Sequence, residues 1–407
     1  MRVLVSGASI AGPALAFWLC RNGFSVTVVE RSPALRKAGG HAVDLFKPAM
    51  DIAEQMGVLD SVEAKATGTD IIEAYREGSD RRHVIEIGRL MSAVSDRHVE
   101  IMRDDLSQIF YDACPDQVEF RFGESIRQIA QDPAGVDVTF ESGSSERFGL
   151  VIGADGLHSN VRRLVFGPES DFATWIGAYL AVASVPNFQD LRDRMVVTIG
   201  VDRMAGLYSA AQMDDARAVF LFRPHNELDY DYRDVAGQKM LLRKMFEGLG
   251  TRVDRLLDET DRADAFYLDS ITQLHMDSWS LGRVSLVGDA GYCPGPAVGG
   301  STSLAVVGAY VLAGELTAAD GDHTRGFAAY EEAMRDYVLR SREFAIGAAK
   351  RLLPSNAWGV WAFIGTGLLV GHLPVAVTRA LTKVTSRTVR LHDSVTIKDY
   401  RSEPPSR

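Results

Sequence analysis

Short apolar runs alternate with polar, glycine-marked breaks along this chain, and the run lengths sort it into elements. Residues 2–6 are an apolar strand that ends at Gly7. After the turn Gly7-Ala8-Ser9-Ile10-Ala11-Gly12 comes a helix-like run over 13–19, and 24–29 reads as a second strand closed by Glu30. Residues 37–44 form a glycine-rich loop, and 48–57 a short helix with proline at its start and glycine at its end. A hairpin is predicted from 70–75 and 83–87, and a helix from Glu100 to about Ala113. Residues 118–122, 126–131, 136–140 and 150–152 are short strands of a small sheet hung on the first unit. From 173 to about 222 the pattern changes to longer alternating strands, the best candidate for a separate sheet domain. Helices follow within 238–257, a strand over 265–275, and another over 284–287. The last strand crosses a Pro/Gly loop into a long apolar helix over 301–316.

Three of the breaks carry chemistry. The first is a strand–turn–helix–strand unit with an acidic residue at its end, the dinucleotide-binding fingerprint. Gly7 permits the tight turn, Gly12 lets helix and strand approach, and the helix start turns free N–H groups toward a pyrophosphate. Glu30 falls where a ribose hydroxyl needs an acceptor, and Ser9 replaces the middle glycine. The second break is Gly153-Ala154-Asp155-Gly156, with Ser159 placed to cap a helix carrying Arg162. The third is Gly288-Asp289, followed by Pro294-Gly295-Pro296 and a helix start at Gly299-Gly300-Ser301-Thr302.

Composition narrows the class. A chain of 407 residues holds two domains. The formal charge of -10 argues against nucleic acid and anionic membrane surfaces as main partners. Cys20, Cys114 and Cys293 show no pair spacing, and His and Cys are scattered, so neither a disulfide nor a metal site is expected. Without a visible signal peptide the expected location is the cytoplasm. An apolar run over 357–370 is shorter than the roughly twenty residues a membrane span needs, so 357–381 is expected as a buried or interfacial helix. Trp358, Trp361 and Phe363 would pack on the second sheet.

Taken together, these three motifs resemble the class A flavoprotein monooxygenases, the para-hydroxybenzoate hydroxylase-like enzymes, from Met1 to about Tyr337. The segments 39–44, 288–296 and 308–316 are most similar to the tetracycline-inactivating branch. The resemblance implies an α/β fold: a Rossmann-like (GR2-type) FAD-binding domain, an inserted mixed-sheet substrate domain and a C-terminal helical segment. FAD-binding parts fall at 1–70, 99–170 and 273–345, a substrate-domain hairpin at 71–98 and the substrate domain at 171–272. Bridging helices take 346–400 and a disordered tail 401–407. Gly7, Ser9, Ile10, Ala11, Gly12, Glu30, Arg31, Arg103, Asp155, Asp289, Pro296, Gly299, Gly300, Ser301 and Thr302 would bind FAD. His41 and Pro296 would face the reaction, and Tyr208, Arg223 and Trp361 the substrate.

The implied activity is hydroxylation of an aromatic or polyketide-like molecule by FAD, NADPH or NADH and O2, through a C4a-hydroperoxyflavin. It would work as a monomer or homodimer and modify an antibiotic. A prenyl-chain reductase sharing these motifs, or a non-catalytic binder, are the alternatives. Two positions depart from the family: Phe46, with Lys47 beside it, stands where many relatives have an arginine, and Ser301 where they have a third glycine.

Overall fold

The computed structural model describes residues 1–35, 39–86, 95, 97–210, 212–231, 233–296, 300–372 and 395–400. Its first sheet is built around Arg2–Ser6, whose last four residues are all buried. Ser25–Glu30 lies parallel on one side, with Val3 opposite Val26, and Leu150–Gly153 parallel on the other, with Val3 opposite Leu150. Glu119–Phe122 extends one edge; Val284–Leu286 and then Ser280–Leu281 complete the other. Strands buried on both faces are uninterrupted apolar runs, and Leu150-Val151-Ile152 is one. The expected small four-strand sheet is therefore corrected: 119–122 and 150–153 belong to the main sheet. Only Ile126–Asp132, Gly135–Phe140 and Ser145–Phe148 form the separate three-stranded one.

The helix Ala11–Arg21 packs on the apolar helix Ser301–Ala318, the Trp18 ring meeting Tyr310 edge-on at 4.8 Å. By length and composition alone 301–318 could cross a membrane, but most of it lies inside the core cluster. Next to it, Ala42–Phe46 pairs antiparallel with His98–Met102. Two expectations change here. The loop predicted through Asp44 becomes a strand at Ala42, and the helix predicted from Glu100 starts at Arg103 because 98–102 is that strand's partner.

The second sheet has the order Phe266–Leu274, Ala173–Pro186, Asp215–Phe222, Arg203–Ser209, Arg194–Gly200, Ile71–Arg76, Arg82–Glu86. It is mixed, because Ile71–Arg76 runs parallel to Arg194–Gly200. Helices Val235–Phe246 and Thr251–Arg262 cover one face with Leu242, Phe246, Val253, Leu256 and Leu257. The other face meets the long helix His323–Leu352 through Ala345 and Ala349. That helix is unbroken across the division expected at 345. Helix Ala357–His372 then covers Ala74, Ile85, Val197 and Ile199 with Val360 and Ile364. Phe363 joins that contact, and Trp361, though 47% exposed, lies against Arg76 of the same sheet; Trp358, 79% exposed, faces outward, which corrects its expected packing role. The stretch 373–381 lies outside the described residues.

Candidate functional site

At the first turn the backbone itself demands glycine. Gly7 has φ +107°, its N–H donates to Val29 O at 2.8 Å, and a Cβ there would come 2.5 Å from Ala154 O. A Cβ on Gly12 would run into the carbonyl of Gly7. Glu30 accepts from the N–H groups of Ala8 (3.0 Å) and Ser32 (2.9 Å), so it braces the turn as well as ending the strand. Ile10 and Ala11 are buried at the helix start, and Arg31 is exposed just beyond Glu30. Arg103, first residue of the helix Arg103–Asp112, reaches Ser9 Oγ at 3.3 Å.

The third motif is brought onto the first by packing. Gly288 (φ +67°) sits where a Cβ would lie 3.1 Å from the Cβ of Ala305 and 3.4 Å from that of Ala11. Thus the Gly-Asp turn, the first helix and the helix 301–318 converge on one residue. Asp289 begins the short helix Asp289–Tyr292; burial raises its carboxyl, and the positive Arg103 and the Cys293 thiol oppose that rise. Gly300 is left-handed (φ +94°) at the start of 301–318, Ser301 and Thr302 are half-buried, and Pro296 is half-buried before it. Gly299 lies outside the described residues. Ser303 Oγ accepts from Phe46 N–H (2.9 Å) and donates to Asp44 O (3.3 Å), docking the helix start on the strand. Phe46 is core, its ring 5.3 Å from His98, and Lys47 is a surface partner of Asp51 at 2.6 Å. Neither residue stands in for the family arginine.

Around the second motif the assignment of Asp155 needs correction. Its carboxylate accepts from the N–H groups of Asn160 (2.9 Å) and Val161 (3.1 Å) and from Ser159 Oγ. It therefore caps its own helix, and those bonds occupy both oxygens. Arg162, 1% exposed, donates to Ala290 O at 2.8 Å and Glu169 at 2.6 Å, tying this turn to the Asp289 helix. His158 lies between Glu169 (3.0 Å) and Asp269 (3.3 Å), which push its pKa up to about 10.

Five bonds hold the glycine-rich loop, three of them from the second sheet. Arg217 Nε donates to Gly40 O (2.9 Å), Ala42 N–H donates to the Tyr208 hydroxyl oxygen (2.7 Å), and the Tyr267 hydroxyl meets His41 Nδ1. From the first domain, Asp104 accepts from Gly40 N–H at 2.9 Å, and His41 O accepts from Arg103 N–H at 3.1 Å. Burial and the charge of Arg103 lower the His41 pKa to about 4, against the pull of Asp44. Burial raises the Tyr208 phenol. Arg217, Tyr267 and Asp104 were missed in the sequence; only the alternation of their strands placed them, and that marks a face, not a partner. Arg223 goes elsewhere: it donates to Asp202 (2.8 Å), Ala349 O (2.8 Å) and Leu353 O (3.1 Å), pinning the end of the long helix. Its expected substrate contact is thus replaced by a structural role. Trp361 lies under Arg76 at 4.8 Å on the outer helix, among residues that the loop contacts do not include.

The donor set fits FAD. Two helix starts converge at Gly288, Gly7 and Gly12 let the turn, helix and strand approach where a Cβ would clash, Glu30 ends the second strand, and Arg103 reaches both Ser9 and the field of Asp289. Fold and site define a dinucleotide-binding flavoprotein. A family described as FAD binding domain matches residues 1–341. An uncharacterised protein of Mycobacterium tuberculosis is 45% identical over 344 residues, covering 84% of this chain and 91% of its own. A flavin-dependent monooxygenase of Legionella longbeachae is 38% identical over 355 residues, covering 87% and 90%. The crystal structure of tetracycline destructase Tet(51) superposes with a TM-score of 0.82 at 34% identity, over 98% of each chain. The chain belongs to the class A FAD-dependent monooxygenases, near the tetracycline-destructase branch.

Proposed function

We propose that the protein uses NADPH or NADH and O2 to hydroxylate an aromatic or polyketide-like small molecule. The observation that carries the reading is His41, held by Arg103 N–H from the cofactor side and by Tyr267 from the second sheet. FAD, reduced by the nicotinamide, supplies the oxygen activation. Gly7, Ser9, Ile10, Ala11, Gly12 and Arg103 would hold its pyrophosphate, Glu30 with Arg31 its adenosine end, and Asp289 its ribityl hydroxyls. Pro296, Gly300, Ser301 and Thr302 would face its ring, the helix start stabilising negative charge there. Asp155 acts one step removed, by fixing the turn that Gly7 packs against.

His41 is neutral near pH 7. With the Tyr267 hydroxyl donating to Nδ1, the ring keeps its proton on Nε2 and presents that donor to a substrate oxygen. The bonds with Arg217 and Tyr208 hold the loop so that this donor stays in place. Tetracyclines belong in the substrate panel because Tet(51) is named for them. The test is substrate-stimulated NADPH oxidation with oxygen uptake across phenols, anthracyclines and tetracyclines. A product heavier by one oxygen supports the reading. Two added hydrogens would make the protein a reductase, and no stimulated oxidation with any member would make it a binder.

A further inference from the structure

In a chain that is 24% charged, the sixteen residues of the helix Ala357–His372 hold no Asp, Glu, Lys or Arg. Its inner face is accounted for. Val360, Phe363 and Ile364 pack on the second sheet, and Gly367 lets the helix close on Ile85, where a Cβ would come 2.8 Å from Cδ1. The outer face is just as apolar and stays open. Trp358 is 79% exposed, Leu369 64% and Trp361 47%, even with Arg76 stacked on it at 4.8 Å. A helix with one face in water carries polar side chains there. An apolar face of this extent marks a surface that associates.

The order of residues along that face says what fits it. Trp358, Trp361, Ala362, Gly365, Thr366 and Leu369 follow one stripe of the helix, three or four residues apart. Bulk lies at the two ends and the centre is small: nothing lies within 4 Å of where a Cβ on Gly365 would be. Turned end for end, the stripe matches itself. About a two-fold axis midway between Ala362 and Gly365, Trp358 meets the partner's Leu369, Trp361 meets the partner's Thr366, and Ala362 meets the partner's Gly365. Each contact occurs twice with the roles exchanged, which is the property of an isologous interface. Small residues at the crossing let two helix axes approach to about 8 Å.

We propose that the outer face of the helix Ala357–His372 is a dimerisation surface, and that its partner is the same face of a second copy packed antiparallel. The area is sufficient. At these exposures, and with about 150–250 Å² of surface per tryptophan, the two tryptophans and Leu369 offer roughly 400 Å² from each copy. With the surface of Ala357, Ala362, Gly365 and Thr366 between them, the pair would bury about 1,200 Å², the lower end of specific interfaces. That size fits a reversible dimer. Both copies carry a formal charge of -10, but the contact face carries none, so salt screens the repulsion without weakening the contact.

Sedimentation velocity of the full-length wild type, from micromolar to hundreds of micromolar, would be compared with Trp358→Glu and Leu369→Glu. Neither residue belongs to the contact with the sheet, so both variants should keep the wild-type circular dichroism and, at dilution, the wild-type unfolding curve. The wild type should pass from monomer to dimer as concentration rises, and added salt should leave that dimer intact or tighten it. Each variant should raise the dissociation constant by about tenfold or more. The double variant Trp358→Cys/Leu369→Cys reads the register: mild oxidation should link position 358 of one copy to 369 of the other, mapped by mass spectrometry. A wild type that stays monomeric throughout would overturn the proposal, as would a dimer that both glutamate substitutions leave unchanged. Links joining 358 to 358 would overturn the antiparallel packing. Flotation of a monomeric wild type with phosphatidylcholine vesicles, lost in Trp358→Glu, would assign the face to a lipid surface and overturn the second copy.

Discussion

His41 and His158 are two histidines moved in opposite directions by their surroundings, and pH separates them. His41 has its pKa lowered to about 4 in the fold, so between pH 4 and about 6.5 the unfolded chain binds the extra proton. Stability therefore rises with pH through that window, and His41→Gln should flatten the acid limb of a Tm-versus-pH curve relative to wild type. His158 is raised to about 10, so the folded chain keeps a proton that the unfolded chain releases above about pH 6.5. Its contribution is complete below that pH and is lost toward pH 10. His158→Gln should flatten the alkaline limb, by a modest amount because the imidazole is 48% exposed and its pairs are screened. Asp289→Ala should leave the circular dichroism unchanged while the purified protein loses its yellow colour; full flavin content would refute the assignment. Glu30 also braces Ala8 and Ser32, so Glu30→Ala should lower stability by about 1–3 kcal/mol in urea unfolding, besides weakening FAD.

Among the elements, the glycine-rich loop and the Gly288 turn matter most. The loop is a short strand start gripped by the second sheet, so its position depends on side chains more than 160 residues away in the chain. Tyr208→Phe leaves the Ala42 N–H without its acceptor and should cost about 1–2 kcal/mol in chemical unfolding. Tyr267→Phe removes the hydroxyl that bonds His41 Nδ1 and should alter the pH profile of turnover with a smaller loss of stability. An unaltered profile would remove His41 from the reaction. At Gly288 a side chain would need a left-handed backbone and would press on Ala305. Gly288→Ala should therefore destabilise by about 1–3 kcal/mol and push the two cofactor-facing helices apart, read as a drop in FAD affinity.

Across the whole molecule, the helix Ala357–His372 is fastened to the second sheet by Val360, Phe363 and Ile364, with Trp361 against Arg76 at its edge. Ile364→Ala removes a buried side chain and should cost about 2–4 kcal/mol, whereas Trp358→Ala, 79% exposed, should fall within about 0.5 kcal/mol of wild type. Trp361→Ala loses the stacking of Arg76 and should cost about 0.5–1 kcal/mol. A changed KM in Trp361→Ala with stability kept would show that the outer helix also reaches substrate; an unchanged KM leaves it as packing.

The sequence by itself determined the three glycine-marked turns, their order and the elements on either side of them. Each is a local matter: Gly7 and Gly288 need a positive φ, Ser159 caps the next helix, and alternation or an apolar run sets the strand type. Pairing was not local. Leu150–Gly153 reads as a short strand in any context, and only its parallel register with Arg2–Ser6 makes it central. Ala42–Phe46 and His98–Met102 became strands because each supplies the other's hydrogen bonds. The site divided in the same way. Glu30, Arg103 and Asp289, which we propose hold the cofactor, could be placed at element ends from the sequence because those elements are set locally. Whether a charged side chain faces the site or the frame depends on which partner is nearest in space. That is why Asp155 and Arg223 proved to be braces and why Arg217 and Tyr267 entered the loop's grip unannounced.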